Sequence, residues 1–184
     1  MIPTEPQSKT LWEKYALPKQ KRIHVSLVAN VAIFLADQLT VHCKPFAVNR
    51  ELLRAGALLH DIDKNVPRLP GEIHPDTAVR ILREEGMHEV ADLVKTHPLH
   101  AILDPDIRPK TWEQRLLYLA DKMVKYEVIT VDMRFALWRH EDLPKHAREI
   151  LDRSYPLVKN LEQEIFGLLG IKPESLQTRM KGVY

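Results

Sequence analysis

The dipeptide His60-Asp61 is set in the apolar run Leu52-Leu53-Arg54-Ala55-Gly56-Ala57-Leu58-Leu59, with His24, His74, His97 and Asp121 elsewhere in the chain. A neutral imidazole beside a carboxylate is a costly pair to bury, worth roughly several kcal/mol without partners. An ion that takes the imidazole lone pair and the carboxylate charge together satisfies both most economically. Each residue also has a plainer reading. A lone inward histidine such as His24 is more often a hydrogen-bonded core residue, and Asp121 fits a buried ion pair. His74 before Pro75 fits a helix entry, His97 a cation on a helix dipole, and Lys64 an ordinary solvated side chain.

These residues must be held by helices, because the apolar period is helical nearly throughout. Ile23, Leu27, Val28, Val31, Leu35 and Leu39 predict a long amphipathic helix from about Lys19 to His42. Pro45 ends it, and Asn49 caps the next helix, which carries Leu52, Leu53, Gly56, Leu59 and His60. A proline-rich loop spans Asn65 to Pro75 and a second loop Asp104 to Pro109. Between the loops come helices around Asp76–Glu85 and Glu89–Thr96, the latter ended by His97. Thr111 caps a helix through Leu116, Leu117, Ala120, Val124 and Tyr126. Helices at Asp132–Arg139 and about Lys145–Leu169 follow, and the tail after Gly170 reads as partly ordered. With no strand-like alternation and no long linker, residues 1–184 read as one all-α domain, a compact helical bundle. His24 shares a helix stripe with Leu27, Val28 and Val31. His60 has Leu53 and Gly56 behind it, and Asp121 lies between Leu117 and Val124. Three polar groups thus point inward from three helices, as in metal sites of helical bundles.

Composition narrows the classes. Hydrophobic residues at 45% and charged residues at 28% argue against disorder. A formal charge of +2, with no basic-aromatic run, argues against a nucleic-acid surface. Cys43 is the only cysteine, which excludes an intrachain disulfide and a structural zinc finger and predicts a reducing, cytoplasmic setting. The start Met1-Ile2-Pro3-Thr4-Glu5-Pro6 lacks the pattern of a signal peptide, and the apolar stretches read as interrupted well short of a membrane span.

His24, the pair within Leu59-His60-Asp61-Ile62-Asp63-Lys64, and Asp121 in Tyr118-Leu119-Ala120-Asp121-Lys122 together resemble the metal-dependent HD-domain phosphohydrolases. The resemblance covers about residues 19–126, with the helices at about 130–170 outside it. It implies a helical bundle in which these four positions bind a divalent metal. His74 in His74-Pro75-Asp76-Thr77-Ala78 and His97 after Val90-Ala91-Asp92-Leu93-Val94-Lys95-Thr96 resemble the binuclear branch. By that match His24, His60, Asp61 and Asp121 would hold one ion, Asp61, His74 and His97 the other, and Asp61 would bridge. Imidazole and carboxylate ligands suit Mn, Fe, Co, Ni or Zn better than an all-oxygen Mg or Ca cage. Lys64 resembles the lysine of the HD-x-x-K element, where an ammonium neutralises substrate phosphate.

The activity so implied is hydrolysis of a phosphoester or phosphoanhydride by a metal-bound hydroxide, with Asp61 and Lys64 as the catalytic residues. The implied substrate is a small nucleotide or phosphorylated metabolite, and a homodimer is compatible with the pattern. The His74 and His97 contexts look most like the symmetrical diadenosine tetraphosphate hydrolase branch. Two features depart from it. Lys122-Met123-Val124-Lys125-Tyr126-Glu127 stands in place of an isoleucine-glutamate-proline stretch, and Asp63 in place of the glycine of HD-x-G-K. A non-catalytic metal- or nucleotide-binding module and a di-iron HD oxygenase are the rival readings. His100 and Lys122 are given less weight, Lys122 because it points roughly 100° from Asp121 on an ideal helix. His42, His88, His140 and His146 read as surface residues, and Trp112, Phe135 and Trp138 as packing anchors.

Overall fold

Residues 19–42 form a single helix, against which the helices at residues 50–59 and 112–122 pack. A computed structural model describes residues 1–42 and 46–181, so Cys43 and the expected breaker Pro45 lie outside the described residues. The α-helices are α1 (Glu5–Lys14), α2 (Lys19–His42), α3 (Arg50–Leu59), α4 (Asp76–Glu84) and α5 (His88–Val94), then α6 (Trp112–Lys122), α7 (Val131–Arg139), α8 (Lys145–Leu169) and α9 (Leu176–Met180). Short 3-10 turns occupy Leu99–Leu103 and Pro173–Ser175. Among the described residues there is no strand, only an isolated bridge between Val124 and Val128, so the fold is all-α.

α2 lies against α3 and α6 and buries Val25, Val28, Val31, Leu35 and Leu39. Ile23, expected on this stripe, is instead 53% exposed. By length and composition α2 is long and apolar enough to cross a membrane, which differs from the expectation of interrupted apolar stretches. Its apolar residues here form the middle of the bundle. Asn49 caps α3 by accepting the Leu52 N–H at 3.0 Å. Thr111 and Gln114 form a capping box that starts α6. Through these caps the chain fixes where α3 and α6 begin, and hence where His60 and Asp121 emerge at their far ends.

Four elements depart from the expected layout. α1 opens the fold with its own capping box at Thr4 and Gln7, and its Trp12 Nε1 donates to the Leu58 carbonyl at 2.8 Å. Its apolar positions are too few for the periodicity to reveal it. Beyond Gly170, which ends α8 in the left-handed region at φ 64°, the described residues continue into a 3-10 turn and α9, which buries Leu176 and Met180. The expected helix ends also fall short. α3 stops at Leu59 and α5 at Val94, so His60 and His97 sit in the turns that follow.

One apolar cluster runs from Leu11 to Met180. Within it Gly56 of α3 packs against Leu93 of α5, where an added Cβ would overlap Leu93 Cδ2 and come within 3.0 Å of its Cγ. Gly56→Val is therefore expected to overpack this crossing and to destabilise the protein by about 1–3 kcal/mol. Thermal unfolding of the variant checks it, and an unchanged melting temperature would contradict the close contact.

Candidate metal centre

Four imidazoles converge where α3, α5 and α6 end against α2, and the backbone sets how three of them face. His24 Nδ1 lies 3.1 Å from the Lys125 carbonyl, His60 Nδ1 2.8 Å from that of Ala57, and His97 Nδ1 2.6 Å from that of Val94. Carbonyl oxygens only accept, so each Nδ1 carries a hydrogen and each ring, when uncharged, presents an Nε2 lone pair toward the centre. His74 is held instead by a side chain, with Nδ1 3.1 Å from Asp63 Oδ2.

These lone pairs meet other acceptors. His24 Nε2 lies 3.1 Å and His60 Nε2 3.5 Å from the same Asp121 oxygen, Oδ1. His74 and His97 bring their Nε2 atoms to 2.9 Å. His60 Nε2 is buried with no hydrogen-bond partner among the described residues. Facing lone pairs and carboxylate oxygens repel unless a proton or a cation lies between them. A divalent cation serves several of them at once, and oriented imidazoles backed by carbonyls suit it. The residues therefore fit a metal centre.

Ligand atoms lie within 4.8 Å of one another in three overlapping groups. These are His24 with His60 and Asp121, His60 with Asp61 and His97, and Asp61 with Asp63 and His74. All six residues singled out from the sequence are thus brought together. In these groups His97 stands with His60 and Asp63 with His74, while the Nε2 atoms of His74 and His97 lie 2.9 Å apart. Asp61 faces both sides, with Oδ2 4.0 Å from His60 Nε2 and Oδ1 3.9 Å from His74 Nε2.

Three lysines neutralise the carboxylates. Lys21 Nζ is 2.9 Å from Asp61 Oδ2, and Lys64 Nζ 3.1 Å from Asp61 Oδ1. Lys122 Nζ is 2.8 Å from Asp121 Oδ2, donates to the His97 carbonyl, and lies 4.1 Å from the Tyr118 ring centre. Burial alone would raise the carboxyl of Asp61, but His60, Lys64 and Lys21 overcome it and hold the group well below the usual carboxylate range. Asp121 behaves likewise, its burial outweighed by Lys122, His24 and His60. Burial also works against a charge on His60, yet Asp61 and Asp121 raise its pKa. His97 goes the other way, since burial and the neighbouring His60 and His74 push it well below the ordinary histidine value.

Asp63, Lys21 and Lys122 were missed or underweighted in the sequence. Lys21 did leave a signal, standing three residues before His24 and hence on the same helix face. Lys122 was set aside from its direction on an ideal helix, but its long side chain folds back and is 1% exposed. Asp63 read only as a lost glycine. His100 lies half-buried in the 3-10 turn, where burial and the nearby His74 and Lys122 lower its pKa. His42, His88, His140 and His146 are exposed.

Outside the ligands a cleft of about 410 Å³ opens over His24 and Lys64. Its walls include Lys21, Lys125, Tyr126, Arg134, Trp138 and Glu141. Inside, removing the buried ammonium should expose how much the centre leans on it. Lys122→Met leaves Asp121 short of its closest counter-charge, and the metal-free protein is expected to lose about 3–5 kcal/mol of stability. Denaturant unfolding of metal-free protein measures this, and a loss below about 1 kcal/mol would contradict the role given to Lys122.

An uncharacterized protein of Methanocaldococcus jannaschii, MJ0778, is 29% identical over 160 residues, covering 79% of this chain and 88% of that protein. No solved structure matches. The HD domain family matches residues 22–125, a span that begins two residues before His24 and ends four after Asp121. The chain belongs to the HD domain family.

Proposed function

We propose that this chain is a metal-dependent phosphohydrolase that cleaves a phosphoester or phosphoanhydride of a small nucleotide or phosphorylated metabolite. Hydrolases are common in the HD family, and the His/Asp groups of this chain could hold the metal they need. The observation that carries the reading is Asp61, which offers one oxygen toward His60 and the other toward His74 and is paired with Lys21 and Lys64, two lysines that line the cleft. His24, His60, Asp61, Asp121, His74 and His97 would hold one or two ions, with Asp63 steadying the His74 ring. Mixed nitrogen and oxygen donors suit Mn, Fe, Co, Ni or Zn. When bound, such ions lower the pKa of a water and neutralise phosphate oxygens.

The side chains supply the rest. Lys64 and Lys21 hold Asp61 between them at 3.1 and 2.9 Å, and both line the cleft, so either can turn toward a phosphate oxygen. Lys122 is buried and remains with Asp121, keeping that carboxylate ionised and in place. The carbonyls behind His24, His60 and His97 keep their Nε2 atoms facing inward. Within this function, the sequence contexts of His74 and His97 favour the symmetrical diadenosine tetraphosphate hydrolase-like branch.

Three measurements test the proposal. Elemental analysis of purified Asp61→Ala is expected to show loss of both ions, and of His97→Ala loss of mainly one. Full retention by both variants would overturn the ligand assignment. Turnover is expected on a nucleotide panel with Mn or Co added. No phosphate release despite full metal occupancy would leave a binding module, and oxygen consumption by a reduced di-iron preparation would replace the hydrolase with an oxygenase.

A further inference from the structure

α7 lies beyond the family match at residues 22–125, yet it forms a wall of the cleft over the metal centre through Arg134 and Trp138. The Arg134 guanidinium carbon sits 4.4 Å from the Trp138 ring centre, and Trp138 packs edge-on against buried Phe135 at 5.2 Å. The arginine is therefore held by an aromatic face that is itself anchored in the core. Its Nε is buried with no hydrogen-bond partner, and no carboxylate of the described residues pairs with the guanidinium. A buried N–H without an acceptor is costly to keep, which marks a place where an acceptor is expected to arrive. Arg134 also acts electrostatically on Lys122, so its charge reaches the centre.

Lys125 lines the same cleft and has no carboxylate partner among the described residues, while its own carbonyl takes the hydrogen of His24 Nδ1. The other two cleft lysines, Lys21 and Lys64, are both committed to Asp61. The cleft thus carries two cations bound to the centre and two left over, against Glu141 as its acidic lining residue. Two uncommitted cations in one cleft repel each other until an anion bridges them.

We propose that Arg134 and Lys125 form a subsite for a second phosphate group, so that the cleft takes a phosphoanhydride in preference to a phosphomonoester. The guanidinium fork reads two oxygens of that phosphate, and Lys125 adds a point charge. Trp138 is a positioning residue that keeps the fork aimed into the cleft. This rests on the phosphohydrolase reading for the phosphate held at the centre, and it deepens that reading by assigning residues of α7 and of the segment after α6 to the second of two linked phosphates.

Calorimetric titration of the Mn-loaded full chain with inorganic pyrophosphate and with orthophosphate tests the subsite without turnover. The parent protein is expected to bind pyrophosphate more tightly. Arg134→Gln should weaken pyrophosphate by about 10-fold to 100-fold while changing orthophosphate by less than about 2-fold. Arg134→Lys keeps the charge and the aromatic contact but not the fork, and its loss should fall between the two. It also supplies the answer if Arg134→Gln does not fold. Equal weakening of both anions, or unchanged pyrophosphate binding in both variants, would overturn the subsite. A nucleotide panel run in parallel separates the two ideas. Absent turnover with pyrophosphate selectivity intact counts against the hydrolase alone, and turnover with selectivity absent counts against the subsite alone.

Discussion

A helical core tolerates charge only where every proton and lone pair has a counterpart, and the fold of this protein is arranged around that requirement. Asp61, Asp63 and Asp121 bring three carboxylates to one point, and Lys21, Lys64 and Lys122 bring three ammonium groups to meet them. Four imidazoles lie among them with their lone pairs directed inward. Removing either sign alone leaves the other stranded in a medium that solvates it poorly. The caps on α3 and α6, the anchoring of α1 through Trp12 and the close contact at Gly56 all serve to keep these groups within a few ångströms of one another.

The three lysines are not equivalent, and their burial sorts them. Lys122 is enclosed and reaches both the Asp121 carboxylate and the His97 carbonyl, so it acts as part of the frame. The side chains of Lys21 and Lys64 are 40% and 27% exposed at the edge of the cleft. They can leave Asp61 at little cost in solvation when another charge replaces them there. The centre therefore contains fixed and exchangeable neutralisation side by side, which suits a site that receives cations first and an anion afterwards.

Much of this was legible in the chain. The long period of α2, the Asn49 and Thr111 caps and the proline-rich loops place the helices, and His24, His60 and Asp121 fall on faces that the period alone turns inward. What escaped has physical reasons. α1 and α9 bury so few apolar residues that no periodic signal rises above the noise. Lys122 was misjudged because direction from an ideal helix ignores the reach of a four-carbon side chain. Asp63 matters through a hydrogen bond to a ring that lies eleven residues on, and Arg134 through a cleft built by distant segments. Neither relation has a sequence spacing that announces it.

The ends of the helices carry a further consequence. α3 finishes at Leu59, α5 at Val94 and α6 at Lys122, so three helices terminate where the histidines and aspartates gather. A helix C-terminus carries about half a negative charge on its unpaired carbonyls, and the effect fades beyond the last turn. The Ala57 and Val94 carbonyls that orient His60 and His97 belong to those last turns. The backbone of these three helices therefore adds negative potential at the centre, separate from that of any carboxylate. That contribution is set by where the helices stop, so it persists whichever side chains are charged.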